Sequence, residues 1–198
     1  MLEGQLQERQ RISQEMHDDM GSGLTAMLFL SRSIRDPETA AVKIQRTAAD
    51  LIRKMNEIIW TMNPEQNSLD SLIAYIRVNT AEALENAGLA YQFQIPENVP
   101  AINIPQELRR NLYLASKEAV HNIIKHACAT EVVIAIIIIN SELRIIIQDN
   151  GRGFETPATM PFGNGLKNMD RRMKQIGGYL LVVNDEGTVV NLAAPLAL

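Results

Sequence analysis

Lys117-Glu118-Ala119-Val120-His121-Asn122-Ile123-Ile124-Lys125-His126 and, further on, Asp149-Asn150-Gly151-Arg152-Gly153-Phe154 decide how the second half of this chain is read. The first stretch lies in a helical pattern running from Pro105 to Ala127, with proline near its first turn, where a missing N–H costs nothing. Glu118, Asn122 and Lys125-His126 recur at steps of about four, along one helical face. Leu112, Leu114, Ala119, Ile123 and Ile124 are assigned to the opposite, apolar face. The second stretch ends a strongly apolar run. Glu131 to Asn140 and Leu143 to Asp149 predict a β-hairpin turning at Asn140-Ser141. Around these lie a strand pattern over Leu89 to Ile95, a helix from about Gly165 to Ile176, and strands near Tyr179 to Asn184 and Val189 to Ala194. The product is an antiparallel sheet with helices on one face, an α/β sandwich.

The first half obeys a different rule. Ser13, Met16, Met20, Gly23, Met27, Leu30 and Ile34 alternate steps of three and four, the spacing of a coiled-coil seam. Asp36-Pro37 breaks the pattern. Ile44, Ala48, Leu51, Met55, Ile58 and Met62 repeat it and stop before Asn63-Pro64. Two long helices with narrow stripes form an antiparallel hairpin that cannot bury both stripes alone, so the expectation is a homodimer built as a four-helix bundle. A third helix follows from Ser68 to Asn86, with Ser68 as N-cap and Gly88 just past its end. The whole is an α+β chain, with a hairpin domain over residues 1–64 and a sandwich domain over 65–198.

The net charge of −4 supplies no basic field for a phosphate backbone, which argues against nucleic-acid binding. The single cysteine, Cys128, permits no internal disulfide and fits a reducing, cytoplasmic setting; its place at the end of an apolar helix predicts a buried, inert thiol. The longest apolar run, Val132 to Ile139, is too short to cross a bilayer. The abrupt helical start at Met1 leads us to expect any membrane attachment in segments upstream.

Two sets of residues carry chemistry. On the first helix His17 follows the seam residue Met16 and so flanks the core while staying accessible. A carboxylate accepting its Nδ1–H would fix the tautomer and leave Nε2 with a free lone pair, as a nitrogen nucleophile attacking phosphorus requires. Asp18 and Asp19 are both placed for this. In the second set, the Asn122 amide oxygen can coordinate Mg²⁺ on a triphosphate while Lys125 neutralises phosphate charge. Gly151 and Gly153 let backbone approach a flat ligand, and Asp149 can accept a hydrogen bond from an adenine amino group, which guanine lacks. Gly163 and Gly165 open the next helix and offer backbone N–H groups to phosphate.

Glu8-Arg9-Gln10-Arg11-Ile12 with Glu15-Met16-His17-Asp18, then Trp60 and Asn63-Pro64, resemble the histidine box of the sensor histidine kinases that include nitrate, membrane-fluidity and cell-envelope stress sensors. The segments around Asn122, Asp149 and Gly163-Asn164-Gly165 resemble, in order, the boxes of the ATP-binding fold shared by histidine kinases, gyrase-type ATPases and related chaperones. That resemblance implies ATP and Mg²⁺ as cofactors, His17 as the phosphorylated residue and Asp18 as its general base. It also implies Asn122 as metal ligand, Asp149 as adenine reader, and Glu118 as assistant to the catalytic water or metal. Lys125 and His126 would join the nucleotide site, Gly187-Thr188 would be the remnant of a third glycine box, and Phe154 to Phe162 would be a short lid. His121 is treated as structural. The partner implied is a response regulator receiver domain, whose aspartate accepts the phosphoryl group. Kinases of this type commonly carry Asp-x-x-x-Gln after the phosphoacceptor; here Ser22, flanked by Gly21 and Gly23, stands where the Gln would be. The competing readings are an ATPase or serine kinase of the same fold, and a non-catalytic nucleotide-gated dimer scaffold.

Overall fold

In the computed structural model the described residues are 20–31, 37–153 and 164–196. The chain divides into two compact units, Met1–Asn63 and Pro64–Leu198.

The first unit contains helix α1 over residues 20–31 and helix α2, Pro37–Met62. The seam residues that fall within these helices are half-buried: Met20, Gly23, Met27 and Leu30 on α1, and Ile44, Ala48, Leu51, Met55, Ile58 and Met62 on α2. Ser13, Met16 and Ile34 lie outside the described residues. A Cβ on Gly23 would stand 2.6 Å from Leu51 Cδ2, so the missing side chain sets how closely the helices approach. Gly23 and Leu51 are equally far from Pro37, as an antiparallel hairpin requires. Leu24, Leu28, Phe29, Val42, Ile52 and Ile59 remain exposed around the stripe.

The second unit opens with a 3₁₀ turn, Pro64–Gln66, and helix α3, Leu69–Asn86. Ser68 caps α3, its hydroxyl accepting the Ser71 N–H at 3.1 Å. At the other end Gly88 takes φ +70, with Gly88 N–H donating to Glu85 and Leu89 N–H to Leu84. This is the left-handed glycine termination that satisfies the last free carbonyls. Leu69, Leu72, Ile73, Ile76 and Leu84 form its buried stripe.

Strand β1, Ala90–Gln94, precedes helix α4, Gln106–Asn122, and a π turn, Ile123–Ala127. Then come β2, Glu131–Ile139, and β3, Glu142–Asp149. Asn140 and Ser141 both have positive φ, +50 and +60, the two-residue turn whose twist matches a hairpin. Helix α5, Asn164–Gln175, and strands β4, Tyr179–Asn184, and β5, Thr188–Pro195, complete the unit. The sheet order is β1-β2-β3-β5-β4. It is mixed, and this corrects the antiparallel reading: β1 runs parallel to β2, because the chain crosses through α4 between them and re-enters in the same direction. The remaining pairs are antiparallel.

Val132, Ile134 and Ile136 of β2, Leu143, Ile145 and Ile147 of β3, and Val190 and Leu192 of β5 are buried on one sheet face. Leu108, Leu112, Ala115 and Ala119 of α4 and Met169 and Met173 of α5 complete this core. Each Leu or Ile so buried contributes about 1.5–3 kcal/mol of transfer free energy. The opposite sheet face keeps Ile137, Ile139, Tyr179, Leu181 and Val183 exposed. Among the described residues no helix is long and apolar enough to cross a membrane.

Candidate nucleotide site

The inward face of β3 reads Leu143, Ile145, Ile147 and then Asp149, which keeps the same parity and is equally buried at 1 % exposure. A carboxylate thus replaces the next aliphatic side chain at the end of the strand. Its Oδ1 accepts the Gly151 N–H at 2.8 Å, while its Oδ2 is buried with no partner among the described residues. A buried oxygen left unmatched costs about 1–3 kcal/mol, and Asp149 borders a cavity of about 520 Å³.

The cavity is bounded by the C-terminal half of α4, the inward ends of β4 and β5, and the start of α5. From α4 and its π turn come Glu118, Asn122, Lys125 and His126, so the structure brings together four of the predicted residues. Asp149, Gly153, Gly165 and Thr188 also line it. The π turn widens the last turn of α4 by one residue, a local departure that recurs at functional sites. Helix α5 can start close to α4 because Gly165 has no side chain: a Cβ there would collide with Glu118 Oε1 and lie 3.5 Å from Asn122 Nδ2. Gly187, at φ +138, likewise lets the β4–β5 turn lie against the Asp149 carbonyl.

The loop carrying Asp149 is fixed to the end of α4. Arg152 N–H donates to Ala127 O and its Nε to His126 O, both at 2.9 Å. Asn150 Oδ1 accepts the N–H groups of Thr130 and Glu131 at 2.9 and 3.0 Å. Gly151 itself does not line the cavity; it braces Asp149 and packs where a Cβ would strike the Ala127 carbonyl.

His17, Asp18 and Gly163 lie outside the described residues. Cys128 is exposed, not buried as its position at a helix end suggested. It follows the π turn in a left-handed conformation, φ 53, and this carries it off the apolar face. Ile124, assigned to that face, lies within the π turn and is 37 % exposed. His121 lines the cavity, although sequence reasoning set it aside as structural. Val182 and Val190 were also missed; they are cross-strand partners on the inward face, legible only once the β4–β5 register is known.

These donors suit a nucleotide. Asp149 lines the cavity and keeps a buried oxygen with no partner among the described residues, valine walls can flank a planar base, and Asn122, Lys125 and Gly165 at the start of α5 line the same cavity. Among the described residues no three His, Cys, Asp or Glu side chains converge as a metal site. A divalent ion would therefore draw most ligands from phosphate and water, as Mg²⁺ characteristically does.

Residues 8–67 match the family described as "Histidine kinase", and residues 107–198 match "Histidine kinase-, DNA gyrase B-, and HSP90-like ATPase". The chain belongs to the histidine kinases. The "Sensor histidine kinase YvfT" of Bacillus subtilis is 30% identical over 96% of this chain, which covers 51% of that protein. The "Sensor protein VraS" of Staphylococcus aureus is 25% identical over 96% of this chain and 56% of its own length. The chain thus spans about half the length of the curated relatives it matches. In fold it is similar to the histidine kinase domain of an Erythrobacter litoralis blue-light activated histidine kinase, with TM-score 0.61 and 15% identity over 95% of both chains. It is also similar to the Acinetobacter baumannii histidine kinase AdeS, with TM-score 0.58 and 12% identity over 92% of this chain and 98% of that one.

Proposed function

We propose that this chain is the catalytic core of a two-component sensor, which uses ATP to phosphorylate its own His17 and then passes the phosphoryl group to an aspartate of a response regulator receiver domain. The observation that carries this reading is the buried Asp149 Oδ2, without a partner among the described residues, at a cavity also lined by Glu118 and Asn122, in a chain that matches both families.

In this account residues 1–64 supply the acceptor and residues 65–198 supply the nucleotide. Asp149 takes the adenine amino group; Lys125 and His126 neutralise phosphate charge. Mg²⁺, held by Asn122 with Glu118 beside it, would draw charge from the β- and γ-phosphates. Asp18 holds and then receives the Nδ1 proton of His17, leaving the Nε2 lone pair to attack the γ-phosphorus. The new N–P bond forms as the bond from the γ-phosphorus to the β,γ-bridging oxygen breaks, and ADP departs. The half-buried stripes on α1 and α2, ringed by exposed Leu28, Phe29 and Ile52, support a homodimer through residues 1–62. The setting is cytoplasmic, where ATP and reduced thiols coexist.

The test is incubation with γ-labelled ATP and Mg²⁺, comparing the unmutated chain with His17→Gln. Label on the first and none on the second, with equal ATP binding by calorimetry, is the expected result. Stable label on the variant would refute the acceptor.

A further inference from the structure

Arg109 is an unusual cation: it lies in the first turn of α4 and is only 1 % exposed, so burial lowers its pKa. Its Nη1 donates to the main-chain carbonyl of Gln66, the last residue of the 3₁₀ turn that follows α2. The same short segment is fixed along its length. Ile104 N–H donates to Asn67 O at 2.7 Å, Leu69 N–H to Ile102 O at 3.0 Å, and Ser68 bridges Asn103 in antiparallel fashion.

We infer that Arg109 is a positioning residue for phosphoryl transfer: by holding the Gln66 carbonyl, it fastens the chain arriving from the helical unit to the helix that carries the nucleotide site. The inference rests on the kinase reading above. Its physical content is a short tether. Asn63 is still bonded back to Ile59 at the end of α2, and Gln66 is already held by Arg109, so only Pro64 and Glu65 intervene. Three Cα steps reach at most about 11 Å. From Arg109, α4 rises about 1.5 Å per residue, which places Asn122 about 20 Å further along one rigid helix. The stretch between the two hydrogen-bonded points, Asn63 and Gln66, is thus two residues long. Arginine suits the task because its planar fork donates to a carbonyl without giving up its charge.

The experiment uses the intact chain and three variants. Arg109→Met keeps bulk and removes the donors; Arg109→Lys keeps one cationic donor; the third inserts two glycines between Asn63 and Pro64, lengthening the tether with Arg109 untouched. For Arg109→Met, amide exchange at Leu69 and Ile104 should accelerate at least about tenfold while Arg152, bonded to Ala127, stays unchanged, the pattern of a local opening. ATP affinity and KM should hold while the autophosphorylation rate falls by on the order of 10- to 100-fold, the scale expected for misplaced reactants. Arg109→Lys should recover part of that rate, and the glycine insertion should reproduce the loss with ATP affinity intact. Unchanged exchange at Leu69 and Ile104 in Arg109→Met would overturn the fastening. Loss of ATP binding together with faster exchange at Arg152 would show a merely structural arginine. Full activity of the lengthened chain would refute the tether. Absence of label on the unmutated chain would instead sink the kinase reading, and the exchange data would still decide the fastening.

Discussion

Asp149→Asn separates what the nucleotide site needs from what the fold needs. In the folded chain Oδ1 is committed to the Gly151 N–H at 2.8 Å, which forces an Asn side chain to place its oxygen there. The Asn Nδ2 then occupies the position of Oδ2, the buried atom that has no partner among the described residues. Toward an adenine amino group the substitution turns an acceptor into a donor. The loss is that of a hydrogen bond to a charged group, about 1.5–3 kcal/mol, or roughly 10- to 150-fold in Kd. Toward the empty fold the sign reverses. A neutral amide with one unmet donor costs less to bury than a carboxylate with one unmet oxygen, so the ligand-free variant should melt no lower than the unmutated chain. Calorimetric titration with ATP and GTP, paired with thermal melts, reads both quantities. ATP affinity should fall while the ligand-free melting temperature holds or rises, and discrimination against GTP should shrink. Unchanged ATP affinity would refute the adenine role; a lower melting temperature would show that the carboxylate is a structural group.

Asn122→Ala should leave nucleotide binding measurable but cut Mg²⁺-dependent transfer by on the order of 10²-fold or more, the scale of losing one preorganised electrostatic contact; equal rates would remove Asn122 from the metal site. Met55→Glu puts an unpaired charge into the half-buried stripe of α2 and should weaken dimerisation by at least about tenfold, 1.4 kcal/mol, in sedimentation. A chain that sediments as a monomer at micromolar concentration before mutation would contradict the bundle. Ser22, on the exposed side of α1, has a shorter reach than the Gln amide that the family resemblance implies at this position. Dephosphorylation of the regulator should accordingly be slow, and Ser22→Gln should quicken it; rapid decay unaffected by the substitution would show that this position does not limit the reaction.

Much of the architecture was legible because its signals are local. The steps of three and four on α1 and α2 read directly as stripes, Ser68 and Gly88 mark the ends of α3, and Asn140-Ser141 marks the hairpin turn. The direction of β1 was not legible: alternation along five residues is the same in a parallel and an antiparallel pair, and only the crossover through α4 decides between them. The π turn escaped for a related reason, since one extra residue in a helical turn leaves no compositional trace. Ile124, read as an apolar-face residue, lies in that turn, and Cys128, read as a buried thiol at the helix end, follows it; both are exposed. At the site, the polar residues declared themselves by spacing, whereas His121 and the walls Val182 and Val190 became visible only through tertiary placement. Arg109, one of two adjacent arginines in a helical pattern, gave no hint that it would be buried against a main-chain carbonyl. His17 and Asp18 lie outside the described residues, so their assignment rests on the sequence and on the family match.

The most direct test of the whole account is therefore to locate the phosphoryl group. After reaction of the unmutated chain with γ-labelled ATP and Mg²⁺, peptide mapping under alkaline conditions should place the label on His17, and the label should survive alkali and be lost in acid, as a phosphorus–nitrogen bond behaves. It should then move to a receiver-domain aspartate when regulator is added. Label that resists acid, or that maps to a serine or threonine, would contradict the histidine kinase account.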